Sequence, residues 1–171
     1  MAVSICLHNG TLLTGFSKME NCAVLIEDGK IADVFSERRF LQKKFDTSVR
    51  IFDVEEAYIA PGFIDTHIHG FKGHGTDNCS VEAMVEMSKD LAEYGVTAFN
   101  PTLYPAPEKD MTHSIKEIVK AMGKENGAHI MGIHMEGPFI SPDKLGVQRP
   151  TKNLSEVFMI CAVSLTSKSS V

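Results

Sequence analysis

The sequence predicts an α/β fold, the N-terminal part of a (β/α)8 barrel preceded by a small β-sandwich subdomain. Two observations support this prediction. Strand-like segments come first, over residues 1–57, and strand-like and helix-like segments then alternate over residues 58–156. The chain has 171 residues, whereas eight βα units need roughly 250. We therefore expect the first three βα units of an incomplete barrel, followed by an atypical tail over residues 157–171.

The first region reads as a small β-sheet. Asp28 and Gly29 separate two apolar runs. This dipeptide favours a type I′ turn, because both central residues of that turn need a positive φ. The pattern predicts a β-hairpin over residues 23–35. Two further short strands are predicted over residues 3–7 and 49–54.

Three strands are predicted in the second region, over residues 63–69, 96–103 and 130–135. A Gly-rich loop follows the first of them. The helix after this loop is expected over residues 81–94, with Ser80 as N-cap and Gly95 at the C′ position. A second helix is predicted from apolar residues at the spacing of one buried face: Met111, Ile115, Ile118, Val119 and Met122.

Composition and charge exclude several classes of function. The net charge of -5 comes from 22 acidic and 17 basic residues, and no Lys/Arg cluster is dense enough to follow a nucleic-acid backbone. The longest apolar stretch, residues 157–165, is too short to span a bilayer, and residues 1–7 lack the basic start of a signal peptide. The four cysteines form no C-x-x-C pair. We expect a cytoplasmic protein that binds neither nucleic acid nor membrane.

Polar side chains gather at the C-terminal ends of the predicted barrel strands. His67 and His69 share one face of the first strand, because residues two apart point the same way. The same parity places His134 and Glu136 together on the third strand. Catalytic residues of barrels lie at this end, and a buried carboxylate needs a cation or hydrogen-bond donors. The pattern indicates a divalent metal site at His67, His69 and Glu136; for the histidines alone, the alternative is two solvated side chains on a surface strand.

These segments resemble the amidohydrolase superfamily. Residues 61–70, Pro-Gly-Phe-Ile-Asp-Thr-His-Ile-His-Gly, resemble its first-strand signature. Residues 134–141, His-Met-Glu-Gly-Pro-Phe-Ile-Ser, look like the third-strand motif of the N-acetylglucosamine-6-phosphate deacetylases, and residues 91–102 are similar on the second strand. The resemblance extends to about residue 150. It implies hydrolysis of the acetamide of N-acetylglucosamine 6-phosphate to glucosamine 6-phosphate and acetate.

The resemblance also implies roles for the metal-site residues. Glu136 is expected to bind the main divalent metal, with zinc as the expected ion. Some family members have amide side chains where this chain has His67 and His69, so a second ion is possible here. Two further histidines and a proton-transferring aspartate are expected on strands beyond Val171. The family also implies a small-molecule substrate and a homodimer of the full-length form.

The loop after Glu136 corresponds to the part of the family that contacts the sugar, so Val147 and Gln148 are expected to bind the substrate. Many members have a histidine at the place of Gln148, and a glutamine can hydrogen-bond a hydroxyl group but carries no charge. Lys144 and Arg149 have two interpretations, as attractors of the sugar phosphate or as solvated loop charges.

Three interpretations of function remain open. The first is a deacetylase of which this chain is an N-terminal fragment, inactive alone and without a catalytic residue of its own. The second keeps the superfamily but changes the substrate to a cyclic amide or imide. The third is a non-catalytic short product that holds a metal weakly through the histidine and glutamate side chains.

Overall fold

The structure, a computed structural model, describes residues 4–137 and 140–148. The chain divides into two compact units, Met1–Pro61 and Gly62–Val171. We call them the sheet unit and the strand–helix unit. Arg149 and the predicted tail over residues 157–171 lie outside the described residues.

The described residues of the sheet unit form five strands and one short helix: β1 (Ser4–Leu13), β2 (Lys18–Glu27), β3 (Lys30–Ser36), α1 (Glu37–Gln42), β4 (Val49–Asp53) and β5 (Tyr58–Ile59). β2 is antiparallel to β1 and β3, whereas β4 and β5 run parallel to β1. The described residues of this unit form a single mixed sheet. The second layer of the predicted β-sandwich therefore stays a prediction.

The predicted hairpin is confirmed, because Asp28 and Gly29 have φ values of 51° and 72° between β2 and β3. The first strand is longer than predicted and continues to Leu13. Its pairing with β2 shifts register between Leu7 and Gly10. Such an irregularity interrupts the alternation of side chains between the two faces of the sheet. The alternation of apolar residues in the sequence therefore ends at Leu7, although the strand continues.

A histidine–glutamate pair joins β1 to α1 in the sheet unit. His8 Nδ1 lies 2.9 Å from Glu37 Oε1, and the backbone N–H of Asn9 donates to Glu37 Oε2 over 2.8 Å. The His8 ring stacks on Phe40 with 3.9 Å between the ring centroids. Both carboxylate oxygens of Glu37 thus have a hydrogen-bonding partner.

The strand–helix unit contains the following elements: β6 (Phe63–Ile68), β7 (Gly70–Phe71), β8 (His74–Gly75), α2 (Val81–Ala92), β9 (Val96–Leu103), α3 (Glu108–Ala121), β10 (His129–Ile130), β11 (His134–Met135) and a short 3-10 helix (Pro142–Lys144). β6, β10 and β11 all pair in parallel with β9, which lies at the centre of the sheet. The predicted alternation of parallel strands and helices is confirmed, and β9 has the predicted bounds.

The first helix of this unit starts as predicted and ends earlier. The Ser80 hydroxyl oxygen accepts a hydrogen bond from the backbone N–H of Ala83 over 3.2 Å. The last helical residue is Ala92 and the C-cap is Glu93. Gly95, with a φ of 80°, therefore lies one residue beyond the C′ position, at C″, and not at C′ as predicted. Its backbone N–H donates to the Ala92 carbonyl oxygen over 3.0 Å and closes the turn.

The third predicted strand, residues 130–135, is interrupted. β10 and β11 are separate two-residue strands with Gly132 between them, and a glycine inside a strand weakens it. Both parts remain bonded to β9. The Met131 N–H donates to the Phe99 carbonyl oxygen over 3.1 Å, and the Glu136 N–H donates to the Leu103 carbonyl oxygen over 3.0 Å.

The predicted Gly-rich loop also has more order than its composition indicated. β7 and β8 pair as a small antiparallel hairpin, and Lys72 and Gly73 at its turn have φ values of 45° and 88°. After the hairpin, the backbone N–H of Thr76 donates to the His69 carbonyl oxygen over 3.0 Å. The loop is thereby tied to the end of β6.

The start of β10 is fixed by a second histidine–glutamate pair. Glu125 Oε1 accepts a hydrogen bond from the backbone N–H of Ile130 over 3.0 Å and lies 3.1 Å from His129 Nδ1. Burial alone would raise the pKa of the Glu125 carboxyl, but the backbone N–H groups of Glu125, Ile130 and Gly123 outweigh it and lower that pKa. The carboxylate of Glu125 is thus stabilised in its charged form.

The core of the strand–helix unit is formed by β9, β10 and the inner faces of both helices. On α3, the predicted apolar face is confirmed at Met111, Ile115 and Ile118, which are buried, while Val119 and Met122 are only partly buried. Cys79 lies in this core; burial raises the pKa of its thiol to about 11. None of the described helices is both long and apolar enough to cross a membrane.

Candidate metal centre

Three side chains converge at the C-terminal ends of the parallel strands. His67 Nε2 and His69 Nε2 lie 3.1 Å apart. Glu136 Oε2 lies 3.5 Å from His67 Nε2 and 3.0 Å from His69 Nε2. All three predicted metal residues are therefore brought together by the fold, and their ligand atoms lie within 4.8 Å of one another.

The backbone explains this convergence. His67 lies in β6 and His69 directly after it, on the same face because they are two residues apart. Glu136 directly follows β11, and its N–H bonds to the end of β9. β6 and β11 both pair with β9, so the two strand ends reach the same edge of the sheet.

The hydrogen bond that His69 makes through Nδ1 determines which ring nitrogen carries the imidazole proton. His69 Nδ1 lies 3.0 Å from the Thr102 carbonyl oxygen, which can only accept a hydrogen bond. We therefore assign the proton of the neutral imidazole to Nδ1. The Nε2 atom then carries a lone pair and points at its two neighbours. This is the arrangement by which metal-binding histidines are usually oriented.

One oxygen of the Glu136 carboxylate lacks a hydrogen-bond donor among the described residues. That oxygen, Oε2, is buried. His69 Nε2 lies 3.0 Å from this oxygen and offers it a lone pair, because the His69 proton is on Nδ1. A buried carboxylate oxygen without a donor is costly, and a divalent cation between these atoms would remove that cost.

The spacing of the three atoms fits one metal ion. Ligand atoms of a tetrahedral zinc site lie about 3.3 Å apart, given metal–ligand distances of roughly 2.0–2.2 Å. The three measured separations, 3.0, 3.1 and 3.5 Å, fall around this value. Imidazole nitrogen and carboxylate oxygen are also both common zinc ligands.

His134 takes a different place from the other predicted site residues. Its Nδ1 atom lies 3.2 Å from the Thr102 hydroxyl oxygen, and its ring stands edge-on to His67 with 4.8 Å between the centroids. It does not join the group of three ligand atoms. His134 and Glu136 are two residues apart and lie near the same site, but they contact different groups.

A groove lies beside the site. It encloses about 390 Å³ and is lined by Asp77, Tyr104, Pro105, Ala106, Val147 and Gln148. The Tyr104 ring stacks on the His69 ring, with 3.6 Å between the centroids and 2° between the planes. The groove thus adjoins the candidate metal centre through Tyr104. Val147 and Gln148 line it, and their binding of substrate stays a prediction.

Sequence reasoning missed Tyr104 and Asp77. The position of Tyr104, one residue after β9, could have indicated it, because side chains after a barrel strand face the site. Asp77 lies beyond the β7–β8 hairpin and had no such signal. Lys144, in the 3-10 helix, is exposed and does not line the groove.

A family model described as "Amidohydrolase family" matches residues 58–163. This match covers more than half of the chain, and it agrees with the parallel strand–helix pattern and the His-x-His motif at the end of β6. The chain belongs to the amidohydrolase family.

Two curated proteins that are similar in sequence to this chain share one name. The chain is 33% identical over 152 residues to the N-acetylglucosamine-6-phosphate deacetylase of Bacillus subtilis, covering 86% of this chain and 37% of that protein. It is 35% identical over 130 residues to the deacetylase of the same name from Danio rerio, covering 73% of this chain and 31% of that protein. The chain therefore spans about a third of the length of these curated relatives.

Solved structures show the same fold. The N-acetylglucosamine-6-phosphate deacetylase of Pasteurella multocida matches 95% of this chain and 42% of its own, with a TM-score of 0.81 and 20% identity. The enzyme of the same name from Thermotoga maritima matches 91% and 39%, with a TM-score of 0.68 and 24% identity. These matches confirm the α/β class. The extent of the barrel beyond these residues, the homodimer and the cytoplasmic location stay predictions.

Proposed function

We propose that this chain carries part of the active site of an N-acetylglucosamine-6-phosphate deacetylase. The observation that supports this most is the convergence of His67 Nε2, His69 Nε2 and Glu136 Oε2 beside a groove. The relatives named above bear that activity in their names. The substrate is then a small molecule, an amino sugar phosphate.

In this proposal, His67, His69 and Glu136 hold a divalent metal, for which zinc fits the donor set. When bound, such an ion supplies an activated water and polarises the carbonyl group of the acetamide. The Thr102 carbonyl oxygen holds His69 in the orientation that presents Nε2. The close spacing of the three ligand atoms favours one ion at this position, and a second ion needs ligands from other residues.

The groove gives the substrate a place next to the metal. Tyr104 forms one wall of the groove and also packs on a metal-binding imidazole. Gln148 offers an amide that can donate to and accept from sugar hydroxyl groups, and Val147 offers apolar contact. Proton transfer is assigned to the aspartate that the family resemblance places on a later strand.

The test is acetate release from N-acetylglucosamine 6-phosphate by the complete protein that contains this chain. We expect acetate release that depends on zinc and that a chelator abolishes. The rate of release should fall on the order of 100-fold or more in Glu136→Gln, because the loss of a metal ligand has a larger effect than the loss of an outer-shell hydrogen bond. Glu37→Gln, in the sheet unit, is the matched control and should keep its activity.

Two results would contradict the proposal. One is zinc-loaded protein that hydrolyses a cyclic amide or imide and leaves the sugar phosphate intact. The other is acetate release that Glu136→Gln leaves unchanged. The first result would retain the metal site and replace the substrate, whereas the second would remove Glu136 from the site.

A further inference from the structure

We propose that Thr102 is a positioning residue that sets the proton positions of two imidazoles and fixes the backbone between the metal-binding histidines. The inference rests on the proposed metal site and deepens it. Thr102 lies in β9, is fully buried and contacts no metal in the arrangement described above. Thr102 therefore acts on the metal site through the residues that it contacts.

The carbonyl oxygen of Thr102 serves two donors. His69 Nδ1 lies 3.0 Å away, and the buried Thr76 hydroxyl donates to the same oxygen over 2.6 Å. The backbone N–H of Thr76 donates to the carbonyl oxygen of His69 itself over 3.0 Å. Side chain and backbone of His69 are thus both tied to β9, and its Nε2 atom is left to face the metal.

The hydroxyl group of Thr102 makes three contacts, which account for its one proton and both lone pairs. It donates to the Asn100 carbonyl oxygen over 3.2 Å and accepts from the backbone N–H of Ile68 over 3.0 Å. The third contact is His134 Nδ1 at 3.2 Å. With the hydroxyl proton donated to Asn100, His134 is the donor in the third contact, which places its proton on Nδ1.

These contacts explain why a hydroxyl is placed where a methyl group would pack equally well. Valine has nearly the same shape as threonine, and both residues are enriched in strands. Replacing the hydroxyl with a methyl group would leave the Ile68 N–H and His134 Nδ1 without an acceptor. Ile68 lies between His67 and His69, so its position determines how the two imidazoles approach each other.

The first experiment measures zinc affinity by calorimetry in the full chain. We expect Thr102→Val to weaken zinc binding by about 10- to 100-fold, as losses of outer-shell hydrogen bonds do. Thr102→Ser keeps the hydroxyl and should restore most of the affinity. Ser88→Ala is the matched control: its buried hydroxyl donates to the Ala128 carbonyl oxygen over 2.8 Å, away from the site, so zinc affinity should stay at the original value.

The second experiment reads the proton positions without zinc. Nitrogen-15 spectra of the histidines in the zinc-free chain should show His69 and His134 as Nδ1–H tautomers, and Thr102→Val should abolish this preference at His134. An Nε2–H tautomer at His69 in the original chain would overturn the proposal, even if Thr102→Val fails to fold. Unchanged zinc affinity in folded Thr102→Val would overturn it as well. An original chain that binds no zinc would instead contradict the metal site.

Discussion

The His8–Glu37 pair of the sheet unit and the His69–Glu136 pair of the strand–helix unit have nearly the same separation. The nitrogen–oxygen distances are 2.9 and 3.0 Å, and each imidazole stacks on an aromatic ring. Their environments differ. Glu37 receives a backbone N–H on its second oxygen, whereas Glu136 Oε2 has no donor among the described residues.

The difference lies in the number of available protons. His8 Nδ1 can donate to Glu37, so that pair is complete as it stands. The Nδ1 proton of His69 is bound by the Thr102 carbonyl oxygen, so only a lone pair faces Glu136. A second imidazole, His67, approaches the same point. Proximity alone therefore does not indicate a metal site, whereas a buried carboxylate oxygen that faces an imidazole lone pair does.

The largest expected effect is on zinc affinity. We expect Glu136→Gln to weaken zinc binding on the order of 100-fold, because it replaces a charged ligand by a neutral amide. Glu37→Gln should leave zinc binding unchanged. Calorimetric titration of both variants with zinc measures this contrast. Equal losses in the two variants would mean that the pairs do not differ as described.

The second prediction concerns stability without zinc, where the two substitutions should have opposite effects. Glu37→Gln should lower the free energy of unfolding by about 1 to 2 kcal/mol, because it weakens a hydrogen bond to a charged acceptor. Glu136→Gln should raise that free energy by up to about 1 kcal/mol, because its amide N–H can donate to the lone pair of His69 Nε2. Urea unfolding in the presence of a chelator measures both changes. A clear loss of stability in Glu136→Gln would show that Oε2 already has a donor.

The smallest expected effect concerns Glu125, whose pair with His129 resembles the His8–Glu37 pair. Its carboxyl pKa is lower in the folded state than in the unfolded state. The resulting stability is therefore present above the unfolded pKa of about 4.3 and is lost as the pH falls through the lower folded pKa. Glu125→Gln should cost about 1 kcal/mol at pH 7 and flatten this acid dependence. Urea midpoints measured between neutral and acidic pH test this, and an unchanged acid profile would contradict it.

Sequence reasoning reached the parts of the site that depend on local pattern. The parity of β6 places His67 and His69 together, and the chemistry of Glu-Gly-Pro after an apolar strand indicates Glu136. The hairpin at Asp28 and Gly29 followed from turn chemistry in the same way. Each of these features is determined by a few residues that are close together in the sequence.

Sequence reasoning did not predict the contacts between residues on different strands. Thr102 reaches Ile68, His69 and His134, which lie 32 to 34 residues away along the chain. The stacking of Tyr104 on His69 likewise joins two strands. Such contacts follow from the register between strands, and a hydropathy pattern along one strand does not fix that register.

The most direct test of the metal site is zinc-edge X-ray absorption of the full chain loaded with one equivalent of zinc. We predict a coordination shell that contains two imidazole nitrogens and a carboxylate oxygen, and that loses the carboxylate in Glu136→Gln. A shell with sulfur ligands from the cysteines, or one that is identical in Glu136→Gln, would contradict the assignment of His67, His69 and Glu136 as the metal site.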